Sequence, residues 1–188
     1  MELGVDSVEF DVRAWRGELV LAHTILDSRR RQSVRLADAL SHLAAPRFAD
    51  LGLIVDVKHP GCEPGVLEEL RHRGLLGRSL LTSQVSGVLD SIRTLEPGAR
   101  TGISVGGRIA RLSQRWACWR TQVLAGLADH RWDALMAQHR LIDGSLRSEV
   151  TAREASLYAW TVNDRRMIGE LRALGVDGIV TADPRLFA

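Results

Sequence analysis

The hydrophobic and polar positions of this 188-residue chain follow two alternating periods. Apolar residues with a period of two, or in unbroken short runs, predict strands, and apolar residues three or four positions apart predict helices. Strands are predicted at 7–12, 18–23, 51–58, 80–83, 101–105, 134–141, 157–162 and 178–182, and helices at 34–43, 64–73, 85–95, 108–130, 149–155 and 164–174. Repeated strand–helix units predict an α/β fold, either an open doubly wound sheet or a TIM (β/α)8-type barrel.

The first predicted strand carries two acidic residues on one face. Successive side chains of a strand point to opposite faces, so Glu9 and Asp11 project together, away from Val8 and Phe10. Two adjacent carboxylates repel each other and are costly to desolvate, which calls for a cation to offset them. A hard divalent ion with oxygen ligands would serve, and a solvated face is the alternative.

Other polar residues also fall at the carboxyl ends of predicted strands. His23 ends the second strand, Asp56 and Lys58 end the third, and Trp160 lies near the end of the seventh. The carboxyl ends of barrel strands meet at one face, where the active sites of such folds lie. This coincidence favours the barrel, and so does the absence of a G-x-G-x-x-G dinucleotide-binding motif after the first strand.

Composition narrows the class of protein. A hydrophobic content of 45%, a charged content of 26% and a net charge of +2 are ordinary for a globular protein and do not indicate nucleic-acid binding. No apolar run approaches the ~20 residues that would span a bilayer, and the N-terminus has no secretion-signal pattern, so we expect a cytoplasmic protein. Cys62 and Cys118 show neither a disulfide framework nor zinc-ligand spacing.

Two features of the basic residues stand apart from this ordinary composition. Lys58 is the only lysine in the chain. Because an ammonium is not interchangeable with a guanidinium, one interpretation is that the chemistry at position 58 requires lysine. The other interpretation is that a single lysine remains by chance. The three consecutive arginines at 29–31 form the one tight basic cluster. They predict either a solvated loop or a patch that attracts anions.

Several segments of the chain resemble the glycerophosphodiester phosphodiesterase family, within the phospholipase C-like phosphodiesterase superfamily. Residues 3–12 resemble its G-A-D-x-I-E-x-D-V segment, 19–23 its x-V-V-x-H-D segment and 53–58 its L-x-I-E-I-K segment. Residues 159–164 and 174–184 are closest, and resemble its W-T-V-N and G-V-D-G-I-I-T-D-x-P segments. The similarity covers most of the chain and is least at 106–146.

The resemblance implies a TIM barrel and metal-dependent hydrolysis of glycerophosphodiesters to an alcohol and glycerol 3-phosphate. The implied partner is the small-molecule substrate, with no nucleic acid and no membrane span, and the implied cofactor is Mg²⁺ or Ca²⁺. The residues implied by position are the metal ligands Glu9, Asp11 and Asp56, the acid–base residue His23, Lys58 for catalysis and phosphate binding, and Trp160 for the glycerol or alcohol group.

The chain also departs from the family pattern. The family opens with a strand ending in His-Arg-Gly, which supplies a second catalytic histidine and a phosphate-binding arginine, and this sequence starts after that point. We therefore expect one domain over 1–188, with a barrel incomplete at its first strand. The same letters at 72–74 end a predicted helix and are read as coincidence. Asp56 replaces the usual Glu, and Thr24 the usual Asp.

Two functions follow from these matches and departures. One is a metal-dependent phosphodiesterase. The other is a catalytically impaired or inactive relative that binds a phosphorylated ligand or partner, because losing one member of an acid–base pair lowers rates by orders of magnitude.

Overall fold

A computed structural model describes residues 4–29, 33–107 and 113–187 of the chain, without the side chains of 113–117. The chain divides into two compact units, an N-terminal unit of Val5–Thr101 and a C-terminal unit of Gly102–Ala188 together with Met1–Gly4. Among the described residues, no helix has both the length and the apolar character needed to cross a membrane.

The N-terminal unit is built on four strands in the order β2-β1-β3-β4. β1 and β2 are antiparallel, whereas β1, β3 and β4 run parallel. Its elements are β1 (Ser7–Trp15), β2 (Glu18–Leu21), α1 (Ile25–Ser28), α2 (Leu36–Leu43), β3 (Gly52–Val57), α3 (Glu63–His72), β4 (Ser79–Ser83) and α4 (Ser86–Leu95). Helix α1 lies in a segment that the sequence predicts to be a loop, and the other strands and helices agree with those predicted, with bounds that shift by one to three residues.

β1 extends to Trp15, beyond the predicted end at residue 12, because its antiparallel pairing with β2 continues to the Trp15–Glu18 pair. The predicted turn at 16–17 closes this hairpin, with Arg16 at φ 52° and Gly17 at φ 83°. β2 correspondingly ends at Leu21, so His23 follows the strand instead of closing it. His23 therefore lies beyond the last hydrogen bond between β1 and the β2 segment.

β3 forms the centre of the N-terminal core. Residues 53–57 are all buried, as expected for a parallel strand covered on both faces. Helices α2, α3 and α4 cover the sheet with fully buried side chains that recur at helical spacing, namely Leu36, Leu40, Val66, Leu70, Val88, Leu89 and Ile92. The only charged side chains buried among the described residues are Asp56 and Glu63. Asp56 is therefore a polar exception in an apolar strand.

The C-terminal unit contains four parallel strands in the order β5-β6-β7-β8, with helices between them. Its elements are β5 (Arg100–Val105), α5 (Ser113–Ala128), β6 (Ala134–Gln138), α6 (Gly144–Thr151), β7 (Ser156–Trp160), α7 (Arg165–Leu174) and β8 (Gly178–Ile179). The first residues of the predicted helix 108–130 lie outside the described residues. The alternation of strand and helix continues to the end of the chain as predicted.

Capping explains where the C-terminal helices begin and end. Asp164 caps α7 by accepting a hydrogen bond from Met167 N at 2.8 Å, and Gly175 ends the helix in the left-handed region at φ 78°. The helix predicted at 149–155 instead begins at Gly144, because the Asp143 side chain accepts from Leu146 N at 2.7 Å. A short 3₁₀ turn follows β6 at His139–Leu141, so that strand ends earlier than predicted.

Candidate functional site

The carboxylates of Glu9, Asp11 and Asp56 converge beside the first half of β1 and the carboxyl end of β3. The period of β1 puts Glu9 and Asp11 on one face, and the parallel register of β1 with β3 sets Asp11 directly beside Asp56. One carboxylate oxygen from each residue lies within 4.8 Å of the other two. The predicted convergence of these three residues is present in the structure.

Lys58 lies between two of these carboxylates. Its Nζ atom is 2.5 Å from Asp11 Oδ1 and 2.5 Å from Asp56 Oδ2, and the Lys58 side chain is 15% exposed. Burial lowers the pKa of Lys58, but the neighbouring carboxylates outweigh that effect and raise it above the usual value. The chain's single lysine is therefore a permanent ammonium that neutralises one charge of the acidic group.

One ammonium does not balance three carboxylates. Burial raises the pKa of Glu9 to about 7, and the negative charges of Asp11 and Asp56 add to that rise while Lys58 opposes it. Burial also raises the pKa of Asp56, and the attraction of Lys58 offsets part of the effect. The three carboxylates are therefore short of positive charge, and a proton retained on Glu9 offsets part of their negative charge near neutral pH.

Asp56 also has an acceptor without a partner. Its Oδ2 atom receives Lys58, whereas its Oδ1 atom is buried and has no hydrogen-bond partner among the described residues. A buried carboxylate oxygen without a donor or cation costs several kcal/mol of free energy. A hard divalent cation would satisfy that oxygen and offset the excess charge, since Mg²⁺ and Ca²⁺ bind carboxylate oxygens. The residues present fit such an ion.

His23 is held at the same site by its backbone. The His23 carbonyl accepts two hydrogen bonds from the Arg13 guanidinium, at 3.2 Å from Nε and 3.1 Å from Nη2. The backbone N–H of Ala22, the preceding residue, donates to Asp11 O at 3.0 Å, which fixes this part of the chain beside the acidic strand. His23 itself is exposed, as a group that exchanges protons with a substrate needs to be. The sequence gives no signal for the role of Arg13, which emerges only from the fold.

His59 connects β1 to the loop after β3. Its Nε2 atom accepts a hydrogen bond from Ala14 N at 3.2 Å, and its Nδ1 atom lies 2.9 Å from Pro60 O. Nδ1 therefore carries the proton, since a carbonyl only accepts and the Ala14 N–H only donates. His59 secures the loop that follows Lys58, a contact that residue spacing alone does not indicate.

Trp160 lies in the C-terminal unit, at the end of β7. Its Nε1 atom donates a hydrogen bond to Met136 O at 2.9 Å. Gly106 accommodates the ring, because a Cβ at that position would lie 2.7 Å from ring atom Cζ2. The indole is thus fixed by β6 and by a glycine, and its role in lining a substrate pocket stays a prediction.

The two units are built from β/α repeats with mostly parallel strands, and the N-terminal unit carries a candidate metal site formed by three acidic side chains. No protein-family model matches the chain. The plant enzyme glycerophosphodiester phosphodiesterase GDPD4 from Arabidopsis thaliana is 45% identical over 49 residues, which are 26% of this chain and 15% of the plant protein. YhdW of Bacillus subtilis (strain 168), which carries the same family name, is 23% identical over 142 residues, or 71% of this chain and 54% of YhdW.

The fold of the chain is similar to that of a solved phosphodiesterase structure. The structure of an Oleispira antarctica phosphodiesterase in complex with the product sn-glycerol-3-phosphate matches with a TM-score of 0.76 and 19% identity, covering 98% of this chain and 84% of that protein. The resemblance to the glycerophosphodiester phosphodiesterase family and the TIM-barrel-type fold predicted from the sequence are thereby confirmed. The chain spans about half the length of YhdW and a smaller part of the plant protein.

Proposed function

We propose that this chain hydrolyses glycerophosphodiesters to an alcohol and glycerol 3-phosphate in a reaction that depends on a divalent metal ion. The observation that supports the proposal most strongly is the group of three carboxylates with a buried, unpartnered Asp56 oxygen. Named relatives support the choice of substrate, since one is bound to sn-glycerol-3-phosphate. A cytoplasmic location and a place in lipid metabolism belong to the same proposal.

Glu9, Asp11 and Asp56 would hold Mg²⁺ or Ca²⁺. The ion would supply positive charge against the phosphodiester, whose own negative charge otherwise resists attack by a nucleophile. Glu9 must lose its proton to act as a ligand, and because its pKa is raised to about 7, that loss is complete only above neutral pH when no ion is bound. The three carboxylates thus bind the metal most strongly at and above neutral pH.

His23 and Lys58 would act on the substrate itself. His23, as an exposed imidazole, would deliver a proton to the oxygen of the departing alcohol. Lys58 would turn its ammonium toward a phosphate oxygen while Asp11 and Asp56 keep it protonated. Trp160 would lie against the glycerol or alcohol group.

Hydrolysis of glycerophosphocholine by the 188-residue chain tests the proposal. Glycerol 3-phosphate release would be measured with Mg²⁺, with Ca²⁺ and with EDTA, and Glu9→Ala would control for contaminating activity. We expect turnover that requires the metal and that Glu9→Ala abolishes. Turnover that survives both EDTA and Glu9→Ala would refute the proposal. A folded chain that binds metal but releases no product would support the alternative, a relative that binds a phosphorylated ligand.

A further inference from the structure

Helix α1 exposes its apolar residues and buries a polar one. Ile25 is 56% exposed and Leu26 is 72% exposed, whereas Ser28 on the same helix is only 3% exposed. Val34, which follows in the same connection between β2 and α2, is 50% exposed. Scattered apolar side chains on a surface need no explanation, but here two exposed ones are adjacent on one helix and a third lies in the same connection.

Hydrogen bonds hold this arrangement in place. Thr24 and Asp27 form a capping box, in which Thr24 Oγ1 accepts from Asp27 N at 3.1 Å and Thr24 N donates to Asp27 Oδ2 at 3.0 Å. Ser28 Oγ donates to Ile25 O at 2.7 Å, and Ser33 Oγ donates to Asp27 O at 2.8 Å. The exposure of Ile25 and Leu26 is therefore a property of an ordered helix.

The chain around this helix is strongly basic. Residues 13–35 contain six arginines and two acidic residues, a formal charge of +4, although the complete chain carries only +2. Trp15 contacts two of these arginines, with the guanidinium carbons of Arg16 and Arg29 at 5.6 Å and 5.5 Å from its ring centroid. Arg30 and Arg31 contribute to the charge and lie outside the described residues.

We propose that this basic apolar face, formed by Trp15, Arg16, Ile25, Leu26, Arg29 and Val34, docks on an anionic lipid bilayer. Apolar side chains that enter the headgroup region gain free energy by leaving water, and arginines beside them attract lipid phosphates. Tryptophan is enriched at that depth of a membrane. A nucleic acid bound to this face would contact the arginines and the indole, but it would leave Ile25 and Leu26 without a role. A lipid bilayer therefore fits the face better.

Docking would bring the candidate site to the lipid surface. The exposed pair at 25–26 begins two residues after His23, and both belong to the N-terminal unit. The proposal does not depend on catalysis, since binding to lipid is measured without turnover. It extends the proposed function by placing the chain where lipid-derived phosphodiesters are found.

Sedimentation with lipid vesicles tests the proposal. The chain would be mixed with vesicles of equal phosphatidylglycerol and phosphatidylcholine, or of phosphatidylcholine alone, in 0.1 M and 0.5 M NaCl. We expect binding to the anionic vesicles that weakens in high salt, because salt screens the attraction between the arginines and the phosphates. Absence of binding to the anionic vesicles in 0.1 M NaCl would overturn the proposal.

Variants separate the apolar and basic contributions. The double variant Ile25→Ser, Leu26→Ser should lower the partition coefficient about tenfold or more, from the apolar area lost. The double variant Arg16→Gln, Arg29→Gln should lower the partition coefficient about tenfold on anionic vesicles only. Leu95→Ser removes a 48% exposed leucine at the end of α4 and should change binding less than about twofold, as a matched control.

Three further results decide the matter. Equal binding of the Ile25→Ser, Leu26→Ser variant and the natural chain would refute a role for α1. The melting temperatures of these variants should be unchanged, because the replaced side chains are exposed. The single variant Leu26→Ser provides a second and milder test of the role of α1 in lipid binding. If sedimentation velocity without lipid shows a dimer that the double variant dissociates, a second copy of the chain covers this face and the proposal is wrong.

Discussion

Asp56 in the N-terminal unit and Asp177 in the C-terminal unit show two uses of a carboxylate at a parallel sheet. Asp177 precedes β8, and its Oδ2 atom accepts from Leu157 N at 2.7 Å and from Arg147 Nη1 at 3.0 Å. Its Oδ1 atom faces Arg147 Nη2 at 3.4 Å. Asp56 shares Lys58 with Asp11 and leaves Oδ1 buried without a partner among the described residues.

The difference separates a structural carboxylate from a candidate ligand. Asp177 sits at the amino end of its strand, where both oxygens are satisfied and join β7, β8 and α6. Asp56 sits near the carboxyl end of β3, the end at which barrels carry their chemistry. A carboxylate with all its acceptors satisfied adds stability, and one that is left short of partners is available to a metal.

The largest expected effect is a difference in metal affinity between variants of Asp56 and variants of Asp177. Asp56→Asn should weaken binding of Mg²⁺ or Ca²⁺ about 100-fold or more, because a charged ligand oxygen is replaced by an amide. Asp177→Asn should leave metal affinity unchanged. Isothermal titration calorimetry of both variants measures this, and an equal loss of affinity in both would remove the distinction between the two sites.

The next effect concerns the ammonium between the carboxylates. Lys58→Met should lower the free energy of unfolding by about 3 kcal/mol in EDTA, since it leaves two poorly solvated carboxylates without a counter-charge. Added Ca²⁺ should restore more stability to this variant than it adds to the natural chain. Urea denaturation with and without Ca²⁺ measures both quantities.

A matched control comes from the C-terminal unit. Arg147→Met breaks the ion pair with Asp177, and the side chains of that pair are 22% and 37% exposed. We expect a loss of about 1 kcal/mol and no recovery with Ca²⁺, because that carboxylate keeps its backbone donor. Similar recovery in both variants would contradict the assignment of the metal site.

The pH dependence of stability should reveal Glu9. Its pKa is about 7 in the folded chain and 4.5 ordinarily, so between these values the folded chain keeps a proton that the unfolded chain has lost. This stabilisation is fully present below pH 4.5 and is lost as the pH rises through 7. One pKa unit corresponds to about 1.4 kcal/mol, and with solvent screening we expect a loss of about 2 kcal/mol.

Urea unfolding in EDTA at several pH values between 5 and 8 measures this loss. Glu9→Gln cannot titrate, so the variant should lose less stability across the same range. Parallel pH profiles for the variant and the natural chain would show that Glu9 is ionised throughout and would contradict the assigned shift.

The smallest effect tests the structural carboxylate. Asp177→Ala should lower the free energy of unfolding by about 1.5 kcal/mol, because the Leu157 amide loses its acceptor. Hydrolysis and metal affinity should not change. Hydrogen exchange at the Leu157 amide should accelerate in this variant, and an unchanged exchange rate would show that the hydrogen bond contributes nothing.

Local features of the sequence predict much of this structure. The period of two in β1 places Glu9 and Asp11 on one face, and the apolar run of β3 predicts a strand buried on both sides. Asp164 and Gly175 mark the two ends of α7 through their capping preferences. Each of these depends on interactions within a few residues, which is why the pattern of residue types is sufficient.

Helix α1 and the boundaries of several elements could not be predicted in this way. β1 continues to Trp15 because β2 pairs with it, and α6 begins early because Asp143 finds the Leu146 amide. The spacing of the apolar residues in α1 does not indicate that they are exposed. Partners elsewhere in the chain decide such features, and sequence periodicity does not report them.

The sequence by itself determined the strand–helix order, the paired carboxylates of β1 and the family resemblance. Only the tertiary structure decided that Asp11 stands beside Asp56, that Lys58 Nζ lies 2.5 Å from both, and that one Asp56 oxygen has no partner among the described residues. The physical reason is that side-chain direction within a strand is local. The register between β1 and β3, and the burial that shifts their pKa values, arise from packing between distant segments.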